Sequence, residues 1–437
     1  NKAYDIANTG RKGPVLIDLP MNIQRGEISD PVYHIENLPD RGQNLDESAK
    51  EAAKCIWKAL DQAKRPVILL GHGVSDRSVR DCLFTLANKW KIPVITSVLE
   101  KSALSWENPL NFGCIGGAYG HRYANMIANA KSDLLICLGI SLCTRQIGTK
   151  VHEFAKNAKI IRVDIDPYNL QRDIHENGAN ERKLCADAME VIKELWKYRE
   201  SDYDFGVWLS VCTDIRSSLQ AVDDATPERY PNRMIAELGD SLADTSAVAV
   251  DVGQHMVWSY QSFRNRNGQK LLFSGGHGAM GYALPAAIGA YYATGKPVAC
   301  ICGDGAFQMN IQELEWVKRE RLPITMIVMN NHALGMIRHL QRDYFEQVYA
   351  DTAEGSGFSS CHFAEVARAY GISSLSMEAD EVKEKAKAFL KETDAPKLLE
   401  ICMEPGTFAY PKTCLGEPIH NQQPYIPKEI YERLMKL

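Results

Sequence analysis

The sequence predicts an α/β protein made of two doubly wound parallel-sheet domains, with the remnant of a third ahead of them. Three observations carry that reading. Short apolar runs of strand type alternate with helix-period segments over residues 46–199 and again over 230–437. Such alternation builds parallel sheets with right-handed crossovers. Gly- and Asn-rich turns follow several of the runs directly, at the carboxyl ends of strands, where open α/β sheets bind ligands.

A chain of 437 residues can bury a large core and divide into two or three domains. Its 45% apolar and 24% charged residues are ordinary for a soluble globular protein. A net charge of −5 gives no reason to expect nucleic acid or an anionic membrane as partner. No apolar stretch approaches the roughly 18 residues of a membrane span, and the start shows no signal-peptide pattern. The 12 cysteines are scattered without a C-x-x-C pair, and Cys137, Cys300 and Cys302 fall in strand-like runs. They read as buried thiols in a reducing cytosol, so a cytoplasmic location is expected.

Residues 1–29 contain a helix-like start and a strand at Val15–Leu19. One helix and one strand cannot make a domain, so the chain is expected to begin inside one. Residues 30–45, rich in Pro, Asp, Gly and Asn, read as a linker. A helix follows at 46–64, then strands at Pro66–Leu70, Pro93–Ser97, Leu134–Leu138 and Ile160–Asp164. Helices are expected around Ser78–Lys89, Tyr123–Ala130 and Thr149–Asn157. Gly71-His72-Gly73 lacks the third glycine of a dinucleotide fingerprint and reads alone as a strand-ending turn. Residues 200–230 look like an irregular connection around one helical piece.

The third unit starts with a helix bearing Met234, Ile235 and Leu238, then a strand at Ala247–Asp251 followed by Gly253-Gln254-His255. The Gly-rich stretch Ser274–Gly281 precedes an Ala-rich helix, Tyr282–Tyr292. Strand Val298–Cys302 is broken by Gly303-Asp304-Gly305, and a helix with Ile311, Leu314 and Val317 follows, with Asn310 as its cap. Strand Ile324–Met329 ends in Asn330-Asn331. A helix at Phe363–Tyr370, a strand at Lys397–Ile401 and a Pro-rich tail complete the chain. The tail either packs on the surface or caps a channel.

Val298–Met336 carries the chemistry. Asp304 supplies a carboxylate, Asn331 an amide oxygen, and Ala333 a carbonyl, an all-oxygen set that suits Mg²⁺. Gly303 and Gly305 let backbone N–H groups approach a diphosphate near a helix start. Either motif alone is as well read as a turn; both behind parallel strands make a cation and diphosphate site.

GDGAFQMNIQEL followed by VMNN resembles the diphosphate-binding signature of thiamine diphosphate (ThDP) enzymes. With DVGQHMVW and SGGHGAMGYALPAAIGA, the match resembles the acetolactate (acetohydroxyacid) synthase branch and runs through nearly the whole chain. The resemblance implies Mg²⁺ on Asp304, Asn331 and Ala333, and diphosphate contacts from Gln254, His255, Gly303, Gly305 and Ala306. It also places Leu334, Gly335 and Met336 beside the cofactor, gives the Gly278 carbonyl to its 4′-amino group, and sets Met280 as a wedge beneath it. Met336 and Leu340 would line the substrate pocket, and Leu340 stands where acetolactate synthases carry a tryptophan that favours the larger 2-oxo acid acceptor.

The implied reaction is decarboxylation of a 2-oxo acid such as pyruvate, with carboligation to a second carbonyl. The alternatives are a decarboxylase releasing an aldehyde, or a non-catalytic nucleotide- or flavin-binding module. Residues 1–29 resemble the end of the family's pyrimidine-binding domain. The activating glutamate would lie upstream, so no catalytic residue is assigned and the 437-residue chain alone is expected to be inactive. The central domain holds FAD in acetolactate synthases. Here the pattern GVRFDDR reads Gly139-Ile-Ser-Leu-Cys-Thr-Arg145, keeping the last arginine but losing the first and both acids, so FAD stays open. Family sites form between subunits, which implies a second copy of the chain, as dimer or tetramer.

Overall fold

The computed structural model describes residues 2–27, 45–391 and 394–437; the linker expected at 30–45 lies outside them but for its last residue. Six strands form the first sheet: β1 (Pro66–Leu70), β2 (Val94–Thr96), β3 (Asn111–Cys114), β4 (Leu134–Leu138), β5 (Lys159–Asp164) and β6 (Glu181–Cys185). All pair in parallel, in the order β3-β2-β1-β4-β5-β6. β1 and β4 are apolar and wholly buried, as strands covered on both faces must be. The edge strands β3 and β6 carry short or polar sequences (NFGC, ERKLC) with no apolar period, and pairing with a formed neighbour supplies what the pattern lacks.

The second sheet holds β7 (Ala247–Val250), β8 (Lys270–Phe273), β9 (Val298–Gly303), β10 (Ile324–Asn330), β11 (Ser373–Glu378) and β12 (Lys397–Cys402). It too is parallel, in the order β11-β12-β10-β9-β7-β8. β8 and β11, both at edges, also escape the apolar pattern. The neighbours of β7 are its successor β8 on one side and β9 on the other, so the strand order reverses there. The carboxyl ends of β7 and β9 therefore open a crevice.

Five local expectations change. Val15–Leu19 is not a strand: Leu16 and Ile17 are 89% and 64% exposed, and among the described residues no strand pairs with them. Apolar sequence without a ladder partner or a covering layer does not hold a strand. Thr149–Asn157 is not one helix but a short helix at Thr144–Ile147 and a 3₁₀ turn at Val151–Glu153, separated by Gly148 at φ +83°. The helix after β9 is split into Asp304–Gln308 and Glu313–Arg319, and Asn310 is no cap: its amide donates to the Gly281 carbonyl.

Residues 200–230 are dominated by a 19-residue helix, Gly206–Asp224. Trp208, Cys212, Ile215 and Leu219 form its buried stripe in the first sheet's core, at a helical spacing hidden by polar composition. The tail turns back on the first domain. Asn125 Nδ2 donates to Ile419 O (2.8 Å), Arg122 Nη1 to Gln422 O (2.7 Å), and Leu434 of the helix Lys428–Lys436 enters that domain's core.

Arg122 is fully buried. It meets Asp223 at 2.7 Å, and the other oxygen of Asp223 meets Arg229 at 3.0 Å. Removing one partner of such a network strands uncompensated charge. Asp223→Ala should cost about 3–5 kcal/mol in urea unfolding. Asp214→Ala, which breaks a half-exposed pair with Arg433, should cost under about 1 kcal/mol. Equal effects would show that the buried cluster holds nothing together.

Candidate functional site

Three strand ends meet at the crevice. β9 delivers Asp304 as the first residue of a helix, β10 delivers Asn331, and β7 is followed by Asp251, Val252 and Gly253 before the helix Gln254–Ser262. Between them lies a cavity of 140 Å³. Gln254, His255, Met280, Gly303, Asp304, Gly305, Ala306, Asn331, Ala333, Leu334, Gly335 and Met336 all border it.

Asp304 is 3% exposed. Its Oδ1 accepts from Gly305 N (2.8 Å) and its Oδ2 from Ala333 N (3.1 Å). Burial outweighs these bonds and pushes its carboxyl up to about 6. Asn331 donates its amide to Gln254 Oε1 (3.2 Å), so Asn331 Oδ1 faces the cavity accepting nothing from the described residues. Asp304, Asn331 and Ala333 thus border one cavity, with Ala333 tied to Asp304 through its N–H. Among the described residues, no three His, Cys, Asp or Glu side chains gather as another metal centre.

The neighbours of Asp304 and Asn331 at the cavity are short of partners. Gln254 Nε2 and His255 Nε2 are buried and make no hydrogen bond, although each residue is only 4% exposed. An unmet buried donor costs about 1–3 kcal/mol, so the Gln254 amide at the cavity signals an absent acceptor, with the unpartnered His255 nitrogen beside it. Burial pulls His255 down to about 3, which leaves the imidazole neutral. The packing also explains one glycine: a Cβ on Gly335 would lie 2.0 Å from Gln254 Oε1 and 2.8 Å from Asn331 Nδ2.

Asp251, unremarked in the sequence beyond closing a strand, organises the neighbouring loop. Its Oδ1 accepts from Val252 N and Gly281 N (2.8 and 2.9 Å), and its Oδ2 from Ala283 N (2.7 Å). The end of Ser274–Gly281 is thereby pinned beside the crevice. Gly278 sits in this loop at φ +80° and does not border the cavity. Leu340 also lies off the cavity wall, 47% exposed, one turn beyond Met336. Trp258, Met329, Val252 and Ile337 line the cavity without having been singled out. Asp251 carried a usable signal, since it closes β7 ahead of a glycine much as Asp304 closes β9. The apolar wall residues carried none.

With this geometry in view, the chain was compared with known proteins. Residues 251–401 match the model "Thiamine pyrophosphate enzyme, C-terminal TPP binding domain", and residues 53–195 match "Thiamine pyrophosphate enzyme, central domain". Among similar proteins, the probable acetolactate synthase large subunit of Methanocaldococcus jannaschii is 33% identical over 100% of this chain and 75% of its own length. The acetolactate synthase isozyme 1 large subunit of Escherichia coli K12 is 31% identical over 94% and 70%. The acetolactate synthase large subunit of Lactococcus lactis is 29% identical over 95% and 70%. The chain belongs to the thiamine pyrophosphate enzymes, in their acetolactate synthase-like family.

The raised carboxyl of Asp304 has a stability consequence in metal-free protein. Its folded value of about 6 exceeds the ordinary 3.8. Stability is therefore full below pH ~4 and is lost as pH rises through about 6. Asp304→Asn removes the charge, so in EDTA it should exceed wild type by about 3 kcal/mol at pH 7.5 and converge with it near pH 3.5. Urea midpoints at the two pH values measure this, and a gap that does not depend on pH would refute it.

Proposed function

We propose that the chain supplies the diphosphate- and Mg²⁺-binding half of a site for ThDP-dependent decarboxylation of a 2-oxo acid, pyruvate foremost, with carboligation to a second carbonyl. The observation that carries this reading is the pair of unpartnered buried nitrogens on Gln254 and His255, at the same cavity as Asp304 and Asn331. Donors without acceptors and oxygen ligands at one cavity fit a diphosphate bridged to a hard divalent cation.

In this reading Asp304 and Asn331 hold Mg²⁺ through side-chain oxygens, and Ala333 holds it through its carbonyl. Gln254 Nε2 donates to a phosphate oxygen. His255, neutral, does the same from Nε2, a tautomer assigned from that role. Met280 and Leu334 wall the cavity and keep water from the reacting carbon. The bound ThDP supplies the carbon nucleophile and the electron sink for decarboxylation. The chain's own task is to bind, orient and exclude water; the proton transfer that activates the cofactor is assigned to none of its side chains.

A flavin would occupy the crevice between β1 and β4, where a Cβ on Gly71 would lie 2.1 Å from the Gly139 carbonyl. Flavin absorbance of purified protein decides that point. No disulfide joins cysteines among the described residues, which favours a reducing cytoplasm. Exposed Ile337, Leu340 and Tyr344 on the helix leaving the cavity suit burial against a second copy of the chain.

Calorimetric titration with ThDP tests the core of the proposal. Binding should require Mg²⁺, vanish in EDTA and weaken at least roughly tenfold in Asp304→Ala. Binding indifferent to metal and to Asp304 would overturn it. An aldehyde-releasing decarboxylase is the second reading, favoured by Leu340 in place of the family's tryptophan. If carboligation is correct, Leu340→Trp should shift acceptor preference toward the larger 2-oxo acid in competition assays; aldehyde as the sole product of both proteins would favour the second reading.

A further inference from the structure

A second cavity, of 240 Å³, opens between β3 and the helix Gly206–Asp224, away from the crevice. Its wall includes Trp106, Asn108, Tyr123, Arg216 and Gln220, with Glu107 at the rim. Its polar lining includes one guanidinium, one phenol and the amides of Asn108 and Gln220. The Arg216 guanidinium lies 4.7 Å over the Phe112 ring and spends one nitrogen on the Asn111 carbonyl (3.1 Å). Its other two nitrogens donate to none of the described residues, and no carboxylate among these pairs with it.

Tyr123 is 3% exposed, and its hydroxyl borders the cavity without a hydrogen bond to the described residues. Asn108 uses Oδ1 to accept from Leu110 N (2.9 Å), which leaves its Nδ2 donors free, and the Gln220 amide is uncommitted. The one acid at the rim, Glu107, is engaged by Arg266 at 2.6 Å. Trp106 meets the Lys101 ammonium nitrogen 5.3 Å from its ring centroid and also borders the cavity.

We propose that this cavity binds a small monocarboxylate. A planar guanidinium fixed against an aromatic ring offers the parallel N–H pair that a carboxylate takes in bidentate fashion. The Tyr123 phenol and the two amides add donors around the same anion. Trp106 gives an apolar surface for the ligand's body, and the volume limits that body to a few heavy atoms or one ring. A purely structural Arg216 would staple β3 to the helix through the Asn111 carbonyl. That role uses one of its nitrogens and leaves the other two without a partner among the described residues.

The test is calorimetric titration of the full chain with benzoate, repeated with inorganic phosphate. Saturable benzoate binding should persist in Asp304→Ala, which separates it from the crevice between β7 and β9. It should weaken at least roughly tenfold in Arg216→Gln. Because Arg216 also packs on Phe112, Ser217→Asp serves as the second variant: exposed at the rim, it adds a repelling charge and should weaken binding without lowering the unfolding midpoint. Absence of saturable binding, or binding unchanged in Ser217→Asp, overturns the proposal. Phosphate binding as tightly as benzoate would overturn the carboxylate assignment in favour of a general anion hole.

Discussion

Burial of two carboxylates at the ends of adjacent strands is the constraint on which the second domain depends. Asp251 and Asp304 sit where β7 and β9 diverge, 1% and 3% exposed, and burial raises both carboxyl groups. The chain offsets that cost with backbone N–H groups: three on Asp251, from Val252, Gly281 and Ala283, and two on Asp304, from Gly305 and Ala333. Each bond also ties a loop to a strand end. The same electrostatic demand that would attract a cation therefore builds the loops around it, and a mutation that relieves the charge loosens what positions the ligands.

The crevice is supported from the first domain as well. His121 Nε2 lies 2.8 Å from Gln261 O, Gln261 Nε2 donates to Tyr119 O (2.8 Å), and Asn265 Nδ2 donates to Leu104 O (3.0 Å). Gln261 and Asn265 lie at and just beyond the end of the helix that begins with Gln254 and His255, so its far end is anchored across the domain boundary. The tail adds a second tie by running from the last strand of the second sheet to the core of the first. Orientation of the two unpartnered donors thus rests on contacts from both sheets. Rigid support of this kind limits the loss of freedom on binding and favours tight anion capture.

Much of this was legible in the sequence because buried parallel strands announce themselves. Val298–Gly303 and Ile324–Asn330 contain long apolar runs ended by Gly or Asn, and the structure begins and ends them where those breaks fall. Edge strands such as Glu181–Cys185 were invisible because half their side chains face water and their stability comes from a neighbour. The helix Gly206–Asp224 was obscured because its buried stripe is narrow and the other face is polar. Asn310 misled for a physical reason: its distance from Glu313 suits a capping box, but the nearby carbonyl of Gly281 claims its amide.

Glycine placement closes the argument about the site. Cβ atoms on Gly253 and Gly303 would lie 2.5 and 2.9 Å from the His255 ring, and one on Gly335 would overlap Gln254. The His255 ring and Gln254 Oε1 are therefore packed against bare backbone at the cavity's own wall. A side chain left free to rotate would satisfy itself with solvent, and a phosphate would then have to displace that water. Held by glycine on their flanks, Gln254 and His255 keep their desolvation cost in the empty protein, and an anion that meets both would recover it on binding.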